Sequence, residues 1–597
     1  MRDLEYPLNG EDILRRKKKI KRMLLEEIAV DTCVYTKVAI LGGSTTSEVK
    51  DCLELFLLNE GISPSFYESL YNNYFEDAVF ENENLKMFSP DIVYIHTSNR
   101  NICKWPELKD SNDTVDKMLE EEYQRFELIW ESLREKYNCI IIQNNMELPF
   151  YRQMGNKEAC DYRGRINYIN RLNERFYEYA RTHENFYISD INYLSANYGL
   201  EKWSNPYFWY MFKYALNIEA IPYLAKNISH IIKAIYGKNK KAMALDLDNT
   251  LWGGVIGEDG LENLAIGQES AQGQAYLEFQ RFLKFYRDMG ILLNVCSKND
   301  EALAIDGLQN TSGILRPDDF MVIKANWEAK SQNIVEIAKE LNVMRDSIVF
   351  IDDNPAEREI VRQQLPEVSV PEISNVENYI KEIEGNGYFE LIKLSEDDLN
   401  RNQMYKANVE RMQQSVKFTD YKEYLRSLEM VATVKPFSVD DLSRIVQLVN
   451  KTNQFNLTTK RYTQTEIEQF MASENYITLS ARLTDKFGDN GMVGLFVGRI
   501  EEDVLHVDLC LMSCRVLKRD LEKAMLDVVI KACQSKDIKE IRGYYYPTAK
   551  NGLVKDFYSE CGFEKCFEDS AGNTQWKKIV DNRFLKMNDV IIVEDMA

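Results

Sequence analysis

Ala244-Leu-Asp-Leu-Asp-Asn-Thr-Leu-Trp252 is the stretch from which the fold is read. An apolar run delivers two carboxylates, Asp246 and Asp248, to its C-terminal end. Thr250 and Trp252 follow, then the glycine-rich Gly253-Gly-Val-Ile-Gly257. The pattern predicts a buried strand that ends in a loop carrying chemistry, because parallel α/β sheets place their sites at the carboxyl ends of strands. Two carboxylates two residues apart on a curling strand end can share one cation while doing different jobs. A carboxylate nucleophile at Asp246, a general acid/base at Asp248 and a bound Mg²⁺ are expected.

Outward from this stretch, strands and helices alternate. A helix is expected over 271–289, a strand at Ile291–Cys296, and then Ser297-Lys-Asn-Asp300 opens a helix. Met321–Lys324 is a strand, and a helix over Lys330–Leu341 follows Asn326-Trp327. Ser347–Ile351 is a strand ending at Asp352-Asp353-Asn354-Pro355, and a helix at 356–363 and a strand at Val368–Val370 close the domain. This predicts a doubly wound α/β domain over 242–371.

Four elements therefore converge at strand ends: Asp246/Asp248, Ser297, Lys330 and Asp352/Asp353. They lie 51, 33 and 22 residues apart, far enough for crossover connections. Phosphoryl transfer needs a nucleophile, a proton donor for the leaving oxygen and positive charge on the equatorial oxygens. Asp246 would attack phosphorus and Asp248 would protonate the leaving group. Ser297 would hydrogen-bond a phosphoryl oxygen, and Lys330 would offset charge between phosphate and Asp246. The carboxylates Asp246, Asp248, Asp352 and Asp353 are the candidate Mg²⁺ ligands, and Thr250, Trp252, Lys298 and Asn299 the candidate substrate contacts.

The order DxDxT, Ser, Lys, DD resembles the haloacid dehalogenase (HAD) superfamily of aspartate-nucleophile phosphotransferases. LDLDNTLWGGVIGEDG, CSKNDE, NWEAKSQNI and FIDDNPAERE resemble its FkbH-like branch more closely. The resemblance implies a phosphatase-acyltransferase that takes a phosphorylated three-carbon acyl donor, loads a glyceryl-type group onto an acyl carrier protein and removes phosphate. A plain phosphatase on a sugar phosphate or similar precursor of surface polysaccharide is the alternative. A third reading makes the terminal domains a scaffold that binds a carrier protein. Only about 20 residues separate Leu251 from the helix near Ala271, so no large cap is expected. Capless relatives tend to act on large or protein-carried substrates.

N-terminal to this core, 1–30 is a charged helical segment with a basic run at Arg15–Arg22, expected to be a solvated surface helix. Apolar strands at Thr36–Leu41, Asp91–Ile95, Cys139–Gln143 and Phe186–Ser189 alternate with helices and predict a parallel α/β domain over 31–236. Ser44 sits where a strand turns into a helix, with Asn99 and Asp190 near other strand ends. The arrangement resembles the SGNH-hydrolase fold with Ser44 in the nucleophile's place. Asp190-Ile-Asn-Tyr-Leu carries no histidine, and a serine without a base is a weak nucleophile. A binding or scaffold domain is the expectation.

On the other side, 372–430 reads as a helical connector, with Ser395-Glu-Asp-Asp398 opening a helix. The last domain, over 431–580, places three antiparallel strands before a loop-to-helix turn and then strand-helix-strand, with 581–597 as a tail. This resembles the GNAT acyltransferase fold, and DFYSECGF matches its late helix-turn segment. GNAT proteins cradle the coenzyme A pyrophosphate on a glycine-containing loop at this helix start. Here the loop is Arg515-Val-Leu-Lys-Arg-Asp520, with Lys518 and Asp520 where glycines are expected, and Asp520 would repel a pyrophosphate. A carrier protein's pantetheine arm is a softer demand. Cys296 and Cys514 are candidates for an acyl thioester, because a thiolate is a good nucleophile; a buried small hydrophobe is the alternative.

Composition sets outer bounds. At 597 residues the chain is too long for one core, and about three to five domains are expected. A net charge of −21 argues against non-specific nucleic-acid binding, which needs basic surface. Eleven scattered cysteines with no CxxC pair show no disulfide framework, which points to a reducing, cytoplasmic compartment. No run of 18 apolar residues predicts a membrane span.

Overall fold

The computed structural model describes residues 1–27, 33–415, 417–452, 454–548, 551–580 and 586–595. The chain divides into two units, Met1–Ile235 and Tyr236–Ala597.

The first unit is built on five parallel strands: β1 (Val34–Gly42), β2 (Ile62–Glu68), β3 (Ile92–His96), β4 (Ile140–Asn144) and β5 (Phe186–Ser189). Their order is β2-β1-β3-β4-β5. β3 and β4 are buried along their whole length, as strands covered by helices on both faces must be. Helices Asn112–Tyr137 and Arg165–Thr182 bury Trp130 and Phe176 against one face. The basic helix Gly10–Glu27 is part of this unit rather than a free surface segment. Ile13, Ile20 and Leu24 are buried, and Lys17 pairs with Glu48 at 2.7 Å and Asp51 at 2.8 Å on the helix Ser47–Asn59. The acidic partners lie in a different element, so the run looks unpartnered in sequence.

The second unit carries two sheets. The first contains β6 (Ala242–Leu245), β7 (Leu292–Ser297), β8 (Phe320–Ala325) and β9 (Ile348–Ile351), all parallel, in the order β8-β7-β6-β9. Val368–Val370 makes only one bridge, Ser369 to Val349. Helices Ala271–Asp288 and Val376–Glu384 cover one face, and Lys330–Glu340 and Pro355–Gln364 the other. The segment expected as a connector therefore supplies a core helix. Ser395 caps its short helix through a box with Asp398, and Arg411 makes a buried ion pair with Asp485 of the last sheet at 2.7 Å.

That last sheet adds β10 (Met430–Lys435), β11 (Phe455–Asn456), β12 (Tyr476–Asp485), β13 (Gly488–Glu501), β14 (Val504–Met512), β15 (Glu540–Tyr545), β16 (Glu564–Glu568), β17 (Thr574–Ile579) and β18 (Ile591–Asp595). Its order is β16-β17-β15-β14-β13-β12-β10-β18, with β11 beside β14. The expected tail is not one: β18 pairs in parallel with β10 and closes the sheet edge. Among the described residues no helix is long and apolar enough to cross a membrane.

Candidate active site

β6 lies between β7 and β9, with Leu245 level with Val295 on one side and Ile351 on the other. The residues leaving these three strands therefore meet. The Asp246 backbone N–H donates to the Ile351 carbonyl at 3.0 Å, which ties the end of β6 to the Asp352-Asp353 turn. Carboxylate oxygens of Asp246, Asp352 and Asp353 all lie within 4.8 Å of one another. Lys330, the first residue of its helix, reaches into this cluster. Its Nζ is 2.8 Å from Asp246 and 2.5 Å from Asp352.

All three of these paired groups are buried. Burial opposes the charge on Lys330, yet the Asp246 and Asp352 carboxylates outweigh it and raise the lysine's pKa. Burial, reinforced by the charge of Asp246, pushes Asp352 up to about 7. The same two causes raise Asp353. A pocket in which carboxylates resist their own ionisation is short of positive charge. A hard divalent cation with oxygen ligands supplies what is lacking, so the three carboxylates fit one.

Asp248 faces elsewhere. One of its oxygens accepts from the Trp252 indole N–H at 2.9 Å and the Ile256 N–H at 3.1 Å, and the other from the Asn299 amide at 3.0 Å. Its side chain is thus outside the three-carboxylate cluster, contrary to the four-ligand expectation. Burial raises its pKa, partly offset by the Ile256 and Trp252 donors. Trp252 itself is fully buried, with Ile256 and Leu308 in the same core cluster. It is a core residue that orients Asp248, not a surface open to substrate. Thr250 is also fully buried, and its hydroxyl accepts the Asp353 N–H at 3.2 Å. Asn249, at φ 55°, takes the tight left-handed turn. Its carbonyl accepts the hydroxyls of Tyr276 and Tyr379, each at 3.1 Å.

Ser297 ends β7 and is buried. Lys298 swings outward to Glu357 at 2.7 Å. Cys296 is fully buried, with its thiol against the Lys330 carbonyl at 3.5 Å, and burial pushes the thiol up. Both features leave it inert as a thioester carrier. The side chain of Cys514 lies outside the described residues.

Three residues were missing from the sequence-derived set. Arg358 is buried, and its guanidinium donates to the Asp352 and Asp353 carbonyls at 2.8 Å each, clamping that turn. Its place six residues past Asp352 was the available signal. Tyr276 and Tyr379 come from remote helices and left none.

In the first unit, no hydrogen bond joins Ser44, Asn99 and Asp190 among the described residues. β1 and β5 are separated by β3 and β4, about 14 Å at ordinary strand spacing. Asp190 instead caps its own helix through the Tyr193 N–H at 3.0 Å and takes the Asn145 amide at 2.7 Å. Ser44 Oγ is buried with no partner among the described residues. Asn99 binds Glu147 through its N–H at 3.1 Å. Glu147 is buried, which pushes its pKa from about 4.5 up to about 7. The folded unit therefore holds a proton that the unfolded chain releases above pH 4.5. Its stability is expected to fall by about 3 kcal/mol between pH 4.5 and 7 and then level off. Glu147→Gln is expected to flatten that slope in urea melts of the unit at pH 5 and 7.5.

Comparison with known proteins is consistent with this geometry. Residues 37–233 match the family model described as the FkbH N-terminal domain. That segment is similar to the FkbH N-terminal domain. The chain's solved neighbours include the N-terminal part of the protein BF1531 from Bacteroides fragilis, containing a phosphatase domain complexed with Mg. The chain is 29% identical to it with a TM-score of 0.58, over 63% of this chain and 99% of that one. They also include the ribosomal-protein-S18-alanine N-acetyltransferase from Escherichia coli (11% identity, TM-score 0.20, 26% of this chain and 99% of that one). The PaiA N-acetyltransferase from Thermoplasma acidophilum in complex with coenzyme A is a third (17% identity, TM-score 0.19, 25% and 98%). No curated protein matches the chain.

Proposed function

We propose that the second unit of this chain is a Mg²⁺-dependent phosphatase working through an aspartyl-phosphate. The observation that carries the reading is Lys330 bridging the buried Asp246 and Asp352, with the half-buried Asp353 completing the carboxylate cluster. The likeness to a phosphatase domain complexed with Mg supports it. Asp246, Asp352 and Asp353 would hold the ion. Bound there, Mg²⁺ offsets the charge of the phosphoryl oxygens.

The chain's own residues divide the remaining work. An Asp246 oxygen attacks phosphorus, a new O–P bond forms, and the bond to the leaving oxygen breaks. Asp248 gives its proton to that oxygen. Its raised pKa suits a group that carries a proton. In the second half, Asp248 takes a proton from water as the water oxygen attacks phosphorus, which frees phosphate and restores Asp246. Lys330 holds the Asp246 carboxylate in place through their 2.8 Å ion pair, and the Ser297 hydroxyl donates to a phosphoryl oxygen.

The finer reading is that the phosphate comes off a three-carbon acyl donor whose glyceryl-type group passes to an acyl carrier protein. It rests on the FkbH-like motifs and on an uncapped site: a short flap, with Gly253 paired to Ala265 and the short helices Ile256–Asp259 and Leu261–Asn263, stands before the helix Ala271–Asp288. Phosphate release from p-nitrophenyl phosphate is expected to vanish with EDTA and return with Mg²⁺; release that persists in EDTA contradicts the metal assignment. Intact-protein mass spectrometry with 1,3-bisphosphoglycerate and a holo carrier protein tests the finer reading. No adduct on the carrier leaves the plain phosphatase.

A further inference from the structure

Lys451-Thr-Asn-Gln-Phe-Asn456 reads in sequence as a loop between helices. In the structure its end runs into the last sheet. β14 and β15 are parallel neighbours, but they pair only from Val504 opposite Glu540 to His506 opposite Arg542. Beyond that point β14 continues to Met512 and β15 to Tyr545 without pairing to each other. Two parting strands expose facing rows of N–H and C=O groups. An extended ligand with amides of its own could pair there as an added strand. A pantetheine arm, with two amides in a narrow chain, has that chemistry. The slot also opens toward the Arg515–Asp520 turn, where a pyrophosphate would be cradled in a GNAT-like domain.

The chain fills that slot itself. Phe455 and Asn456 pair antiparallel with Met512 and Leu511 of β14. The next residue bonds both walls: the Leu457 N–H donates to the Cys510 carbonyl at 3.2 Å, and the Leu457 carbonyl accepts the Tyr546 N–H at 3.0 Å. The Thr458 hydroxyl donates to the Asp508 carbonyl at 2.7 Å. Asn551, fully buried, donates from its amide to the Asn456 carbonyl at 3.0 Å and the Tyr546 carbonyl at 2.9 Å. Asn456 and Leu457 are themselves fully buried. Phe455 packs edge-on against Phe557 at 5.6 Å.

The turn beyond the slot is committed as well. Lys518 and Asp520 hold φ of 64° and 63°, backbone that glycine adopts freely. Both positions keep backbone that glycine favours while carrying charged side chains. Asp520 places its carboxylate at the start of the helix Leu521–Ser535 and pairs with Lys523 at 2.8 Å. Tyr421 donates its hydroxyl to the Lys518 carbonyl at 2.8 Å.

We infer that Phe455–Thr458 is a built-in strand occupying the slot between β14 and β15, so that the C-terminal domain takes neither coenzyme A nor a carrier protein's pantetheine arm there. The inference is independent of the phosphatase reading. Amide hydrogen exchange on the full chain tests it, followed over 454–460 alone, with millimolar coenzyme A, and with a holo acyl carrier protein. Exchange at Leu457 is expected to be slowed about a thousandfold or more relative to an unstructured peptide, and to be unchanged by either probe. Rapid exchange at Asn456 and Leu457, or a change there on adding coenzyme A or the carrier protein, would overturn the inference.

Discussion

Asp246→Asn is expected to reduce phosphate release by about four orders of magnitude or more while leaving the second unit folded. The activity loss follows from chemistry: an amide oxygen at the same place does not form the phosphoryl bond, and residues acting as one catalytic unit lose most of their effect when one is removed. The stability outcome follows from the charges. Asp246 is one of three carboxylates packed around a single Lys330, and its charge is among the causes that raise Asp352 and Asp353. Removing one negative charge relieves that repulsion and leaves the Lys330–Asp352 pair intact. In metal-free protein the variant should therefore melt at or above the wild-type temperature, the usual relation where a site stores unfavourable charge for function. Phosphate release and thermal melts on the same preparation check both halves. Unchanged release in Asp246→Asn would remove the aspartyl-phosphate mechanism.

The parts of this architecture legible in the sequence are those where one local pattern determines one element. β3, β4 and β6 open as apolar runs, and the carboxylates follow β6 directly, so both the strand and the site beyond it could be read. β2 was missed because Ile62-Ser-Pro-Ser-Phe-Tyr-Glu68 sits at a sheet edge, half-exposed, with a proline that an edge tolerates. β18 was missed for a different reason: its partner β10 lies about 160 residues away, and pairing at that range leaves no local mark. Spacing along the chain also carries no strand order. Ser44 and Asp190 both follow strands, yet β3 and β4 lie between those strands in the sheet. Direction is the third hidden quantity. Trp252 beside two aspartates looks like a substrate platform, but its indole turns inward to Asp248 and into the core. The slot between β14 and β15 combines all three: a two-residue strand, distant partners and a side-chain clamp from Asn551.

Lys330→Met is expected to be the most damaging single change to the second unit. Met matches the length and apolar stem of lysine, so little packing is lost; what disappears is the ammonium between Asp246 and Asp352. Lys330, Asp352 and Asp246 are all buried, so water cannot take the place of that charge. Breaking a buried ion pair by removing one partner costs about 3–5 kcal/mol, and here one lysine serves two carboxylates. Burial and mutual repulsion already raise Asp352 to about 7 with the lysine present. Lysine lowers it, so its loss raises it further. The folded variant then binds protons that the unfolded chain has released, and its stability should fall as pH rises from about 4 toward and beyond 7. The deficit relative to wild type should accordingly be largest in alkaline buffer and shrink in acid. Mg²⁺ provides an independent check, because an ion held by Asp246, Asp352 and Asp353 would bind the folded state and restore stability by mass action. Urea melts of Lys330→Met at pH 5.5 and 8, each with and without Mg²⁺, resolve the two effects. A variant as stable as wild type at pH 8 without Mg²⁺ would mean that Lys330 does not hold these carboxylates together. A destabilised variant that Mg²⁺ fails to rescue would place the ion elsewhere.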